Sequence, residues 1–105
     1  MDFNLNDILK QAKNLQGQVS GIQEELAMKR VEGQSGGGMV TVTLNGRQEV
    51  LDVRIDPVCV DSRDIPMLED LIAAAFNQGV KKAKELSSEE MKKLTGGIPL
   101  PFDLS

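Results

Sequence analysis

Seven lysines in three short clusters are the residues of this chain best suited to chemistry. Lys10 and Lys13 stand three apart, on neighbouring turns of a helix-forming segment. Lys81, Lys82 and Lys84 form a second group, and Lys92 and Lys93 a third. Ammonium groups presented together on one face are what contacts to a phosphate backbone require. No aromatic residue is interleaved with them, so stacking on single-stranded bases is not expected, and duplex phosphates fit better. Each cluster also reads as an ordinary solvated helix face. Glu85, Glu89 and Glu90 can neutralise the later lysines through pairs one turn apart. Lys29, Arg30 and Arg54 fall at or on expected strands and are weaker candidates.

Catalytic chemistry is poorly supplied. The chain has no histidine, which removes the commonest general base and metal ligand. Cys59 has no imidazole to activate it, and its neighbours Val58 and Val60 suggest an inert, buried thiol. Asp52, Asp56 and Asp61 read as solvated residues near a strand end. No zinc or calcium spacing is present, so no enzyme activity, cofactor, metal or small-molecule substrate is expected.

The lysines need elements to hold them. At 105 residues the chain is one small domain, and its three phenylalanines leave an aliphatic core. A single cysteine rules out an internal disulfide. No apolar run is long enough for a membrane span and no export signal opens the chain, so a cytoplasmic location and no membrane contact are expected. Net charge is −4, so any nucleic-acid contact must come from local clusters and not from the overall field.

Leu5, Ile8, Ala12, Leu15, Val19, Ile22 and Leu26 alternate at spacings of three and four, a coiled-coil seam on a helix over 4–28. That helix either lies on its own sheet or shares its seam with another helix. Strands are expected at 30–35, 39–45 and 47–55. Ser35 to Gly38 makes a tight connection, since no Gly-Lys-Ser/Thr follows to form a phosphate loop. Asn45-Gly46 predicts a two-residue type I′ turn. Such a turn sets Val42 opposite Glu49, which calls for a bulge nearby. Asp56-Pro57 ends the last strand; Asp61, Ser62 and Asp64 are cap candidates for a second helix beginning near Pro66. Leu68, Leu71, Ile72, Ala75, Phe76, Gly79, Val80 and Ala83 trace its apolar stripe. Ala73 to Ala75 with Gly79 forms a smooth packing face. Ser87 to Glu90 resembles a fresh cap, so this helix, over 65–94, can break and restart there. Residues 1–95 form the domain and 96–105 a mobile tail.

A helix over 4–28 is about 37 Å long, whereas strands of seven to nine residues reach about 24–30 Å. The helices overhang the sheet, and exposed apolar seams ask for a second copy related by two-fold symmetry. A homodimer is expected, with Leu15, Val19, Ile22, Leu26, Leu71, Ala75 and Phe76 as core or contact residues.

In order and spacing, KQAKNLQGQV, VEGQSGGGMVTVTLNG, VRIDP, MLEDLIAAAFNQGVKKAKE and GGIPLP resemble the YbaB/EbfC family of bacterial nucleoid-associated proteins. The resemblance implies an α+β fold: a long N-terminal helix, a three-stranded antiparallel sheet and C-terminal helical structure, dimerised with arms like tweezers. It also implies duplex-DNA binding at the arms with modest sequence preference, in nucleoid organisation or gene regulation. A different reading is a protein-interaction adaptor that uses the apolar seam with Met28, Met39, Met67 and Met91.

Overall fold

The computed structural model describes residues 4–94 and runs α1 (Leu5–Met28), β1 (Arg30–Ser35), β2 (Val40–Asn45), β3 (Val50–Ile55), α2 (Ile65–Leu94). The tail expected at 96–105 lies outside the described residues. The strands form one antiparallel sheet in the order β1-β2-β3, so the α+β architecture is as expected.

The core is one face of β2. Val40, Val42 and Leu44 are fully buried there, because alternation aims all three at α2. From α2, Ala75, Gly79 and Ala83 are the buried residues of a single stripe. Ala73 and Ala74 are exposed, so the smooth face is narrower than the alanine run implies. Its closest approach is at two glycines. A Cβ on Gly33 would strike the carbonyl oxygen of Ala75 and the backbone of Gly79, and one on Gly79 would strike Leu44. Helix and strand meet there backbone to backbone.

Several expectations are corrected. The hairpin is not a type I′ turn. Gly46 does not have positive φ; among the described residues the only non-glycine that does is Gln48, at φ 66°. Gln48 N–H donates to the Asn45 carbonyl and Asn45 N–H to the Glu49 carbonyl, which makes a three-residue loop closed by a left-handed residue. Asn45 is in the strand and buried, its Oδ1 accepting from Arg47 and Glu49 N–H at 2.9 and 3.1 Å. Gly46 is small for a different reason: its N–H donates to the Leu26 carbonyl at 2.8 Å, and a Cβ would collide with Leu26. The loop delays β3 to residue 50, and a bulge between Thr43 and Leu44 sets Val42 opposite Val53.

The second helix is unbroken through Ser87 to Glu90. Glu90 is buried and bonded, not capping a new helix start. Asp64 Oδ1 instead takes the Met67 N–H at the start of α2. Nor does α1 lie on its own sheet. α2 occupies that face, packing on β1 and β2, and α1 meets the body only near its C-terminus. Leu26 is buried, Val19 and Ile22 are half-buried, and residues 5–18 are exposed. The molecule is consequently elongated, with extents of 72 × 23 × 18 Å.

Candidate nucleic-acid interface

The structure separates the seven lysines by what their ammonium groups already hold. Lys82 Nζ donates to the Glu32 carbonyl at 2.9 Å, and one turn earlier Gln78 Oε1 accepts the Gln34 N–H at 2.7 Å. Positions 78 and 82 share one side of α2, so together they cap the outer edge of β1. Lys93 lies 3.3 Å from Glu90 Oε1, and the same oxygen takes Lys29 Nζ at 2.6 Å. These two ammonium groups are drawn into the joint where α1 meets α2. Of the acids interleaved with the C-terminal lysines, Glu90 is the one that pairs with Lys93.

Hydrogen bonding to Lys29, then to Lys93, holds the Glu90 carboxyl below its ordinary value. The same contact with Glu90 raises Lys29. Elsewhere, Arg54 faces Asp52 at 3.7 Å, Arg47 faces Glu49 at 3.9 Å, and Arg63 faces Asp61 at 3.1 Å. The Arg63 bond holds Asp61 below its ordinary value. Sequence spacing gives no sign of the Lys29–Glu90 bond, since the two residues are 61 positions apart.

Lys10 and Lys13 are exposed on the projecting part of α1, and Lys81 and Lys84 are exposed on α2. Lys81 and Lys84 are three apart and Lys92 is eleven beyond Lys81, three helical turns, so these fall on one side of α2. That side differs from the one carrying Lys82 and Lys93.

The profile of the YbaB/EbfC DNA-binding family matches residues 1–98. The chain belongs to the YbaB/EbfC DNA-binding family. A nucleoid-associated protein of Caldanaerobacter subterraneus subsp. tengcongensis is 48% identical over 99 residues, covering 94% of this chain and 89% of the relative. One from Syntrophobacter fumaroxidans is 52% identical over 93 residues, covering 89% and 84%. An uncharacterized protein from Helicobacter pylori has the same fold, with a TM-score of 0.80 at 22% identity, over 90% of this chain and all of that one. The YbaB/EbfC assignment makes this chain a member of a family of nucleoid-associated, DNA-binding proteins.

Cys59 is buried in the core, with its Sγ 3.0 Å from the Asp56 carbonyl oxygen, which accounts for it structurally. Among the described residues no His/Cys/Asp/Glu cluster could hold a metal ion, and no helix is long and apolar enough to cross a membrane.

Proposed function

We propose that the protein is a nucleoid-associated homodimer that grips duplex DNA through backbone phosphates with modest sequence preference. The observation that carries this reading is the sorting of the lysines. Lys82 and Lys93 hold structural bonds, whereas Lys10, Lys13, Lys81 and Lys84 present exposed ammonium groups from long helices, with Lys92 on the Lys81 side of α2. Family membership supplies the DNA. The net charge of −4 makes this local presentation matter, because the overall field repels phosphate.

Dimerisation is supported by the uncovered side of the sheet. Val50, Val53 and Ile55 are 46%, 45% and 36% exposed, and Phe76 on α2 is 39% exposed. α2 packs chiefly over β1 and β2 and leaves the side chains of β3 open to water. Since the β1 edge is capped by Gln78 and Lys82, the open side at β3 is where a second copy fits, related by a two-fold axis.

A salt-dependent duplex titration tests the DNA contact. Affinity should fall steeply with salt. Lys81→Ala with Lys84→Ala should weaken binding and reduce the log–log slope by about 0.9 for each phosphate no longer neutralised. Lys93→Ala should leave that slope unchanged. Absence of binding at low salt would contradict the reading.

A further inference from the structure

The stretch of α1 beyond the body has an apolar stripe that neither the sheet nor the contact at β3 covers. Leu5, Ile8, Leu9 and Leu15 are 67%, 44%, 51% and 54% exposed, and Ala12 between them is exposed too. The stripe is not a loose amphipathic face. Leu5, Ile8, Ala12, Leu15, Val19, Ile22 and Leu26 repeat at 3.5 residues, the period of a seam that stays in register only against another helix. In heptad terms, Leu5, Ala12 and Val19 are a positions and Ile8 and Leu15 are d positions.

The positions that border the seam say which helix that is. Between Leu5 and Val19 they are Gln11, Gln16 and Gln18, with Leu9 as the one apolar member near the tip. Flanking charges normally choose the partner of a coiled coil, and like charges there forbid self-pairing. Neutral glutamines impose no such penalty, in parallel or antiparallel orientation. Asp7, Lys10 and Lys13 lie on the opposite, outer side of the helix. A second copy of α1 therefore meets this seam without repulsion and leaves both lysines facing outward.

The free seam is short. From Leu5 to Val19 it spans about 21 Å, or two heptads, below the three to four that sustain an independent coiled coil. This length suits reversible contact between assembled dimers.

We propose that the exposed half of α1, from Leu5 to Val19, zips against α1 of a second copy, so that arms of different dimers join and two duplexes are bridged. This rests on the dimer at β3 for its building block, and the test separates the two. Sedimentation of the full chain is compared with Ile8→Lys/Leu15→Lys and with Val53→Glu over about 1–200 µM, the range suited to the weak pairing of two heptads. The wild type should pass from dimer to tetramer as concentration rises. Ile8→Lys/Leu15→Lys should remain dimeric, keep its affinity for a single duplex within about twofold, and lose at least fivefold in capture of free duplex by bead-bound duplex. Val53→Glu should lose the dimer itself. Should the arm variant misfold, Ala12→Cys gives a second readout. It occupies the middle of the free seam and meets its own copy in either orientation, so oxidation should cross-link it at least tenfold faster than Lys13→Cys on the outer side. Equal cross-linking at the two positions, or bridging that survives Ile8→Lys/Leu15→Lys in a folded dimer, overturns the inference. So does capture of a different protein's helix by the seam in place of self-association.

Discussion

Glu90 is the side chain on which the joint between α1 and the body turns. It is buried at the C-terminal part of α2 and receives Lys29 from the α1–β1 junction and Lys93 from one turn on. Its carboxyl is held below the ordinary value near 4.5, so its contribution to stability is present above that value and disappears as pH falls through the folded one. Lys29 is raised above 10.5, so its share is complete below that value and is lost as pH rises through its own folded one. Between those limits the contact is insensitive to pH. Thermal melts of wild type and Glu90→Gln should therefore differ at pH 7 and converge toward pH 3; a difference that stays constant with pH would show that the ion pair contributes nothing. Asn45 is the other residue whose replacement should be costly. It closes the hairpin with both ends of its amide while buried, and Asn45→Ala strands the N–H groups of Arg47 and Glu49. Urea unfolding should register a loss of about 1–3 kcal/mol.

Among the elements, what is legible in sequence is what local periodicity controls. Val40, Val42 and Leu44 announce β2, and the 3.6-residue stripe of α2 gives both its length and its buried face. The failures share a cause, which is a partner distant in sequence. Asn45-Gly46 has the composition of a type I′ turn, yet Leu26 approaches Gly46 so closely that the glycine serves close packing and not backbone conformation. Ser87 to Glu90 looks like a helix start, but Lys29 gives Glu90 a bond that suits an uninterrupted helix. Periodicity also cannot say which of two amphipathic helices takes the sheet. The close approach of Gly33 and Gly79 decides for α2, and α1 is left standing clear. That approach should be intolerant: Gly79→Ala should cost more than the roughly 1–3 kcal/mol typical of overpacking where a side chain can yield. Here backbone faces backbone. Of the candidate site, the positions of the lysines are legible but their sorting is not. Which ammonium groups are tied down depends on the Lys82–Glu32 and Lys29–Glu90 bonds, which span 50 and 61 positions of chain.

At the scale of the whole molecule, one observation organises the rest: a small sheet with only two of its three strands well covered, carrying a helix that reaches well past it. A single copy leaves Val50, Val53, Ile55 and Phe76 in water, and each fully buried residue of this kind is worth about 1.5–3 kcal/mol. Pairing of two copies at β3 hides that strip and doubles the number of projecting lysine-bearing helices, which is how an acidic chain can present enough local positive charge to hold a duplex. Val53→Glu should separate the copies and weaken DNA binding at the same time, because each copy alone carries half the phosphate contacts. The most direct test is the mass of the protein in solution at low micromolar concentration, measured by light scattering with and without a short duplex. Twice the 11.4 kDa chain mass for the protein alone, rising by one duplex on addition of DNA at low salt, is the expected result. A single-chain mass, or a two-chain particle that gains nothing from the duplex, would contradict it.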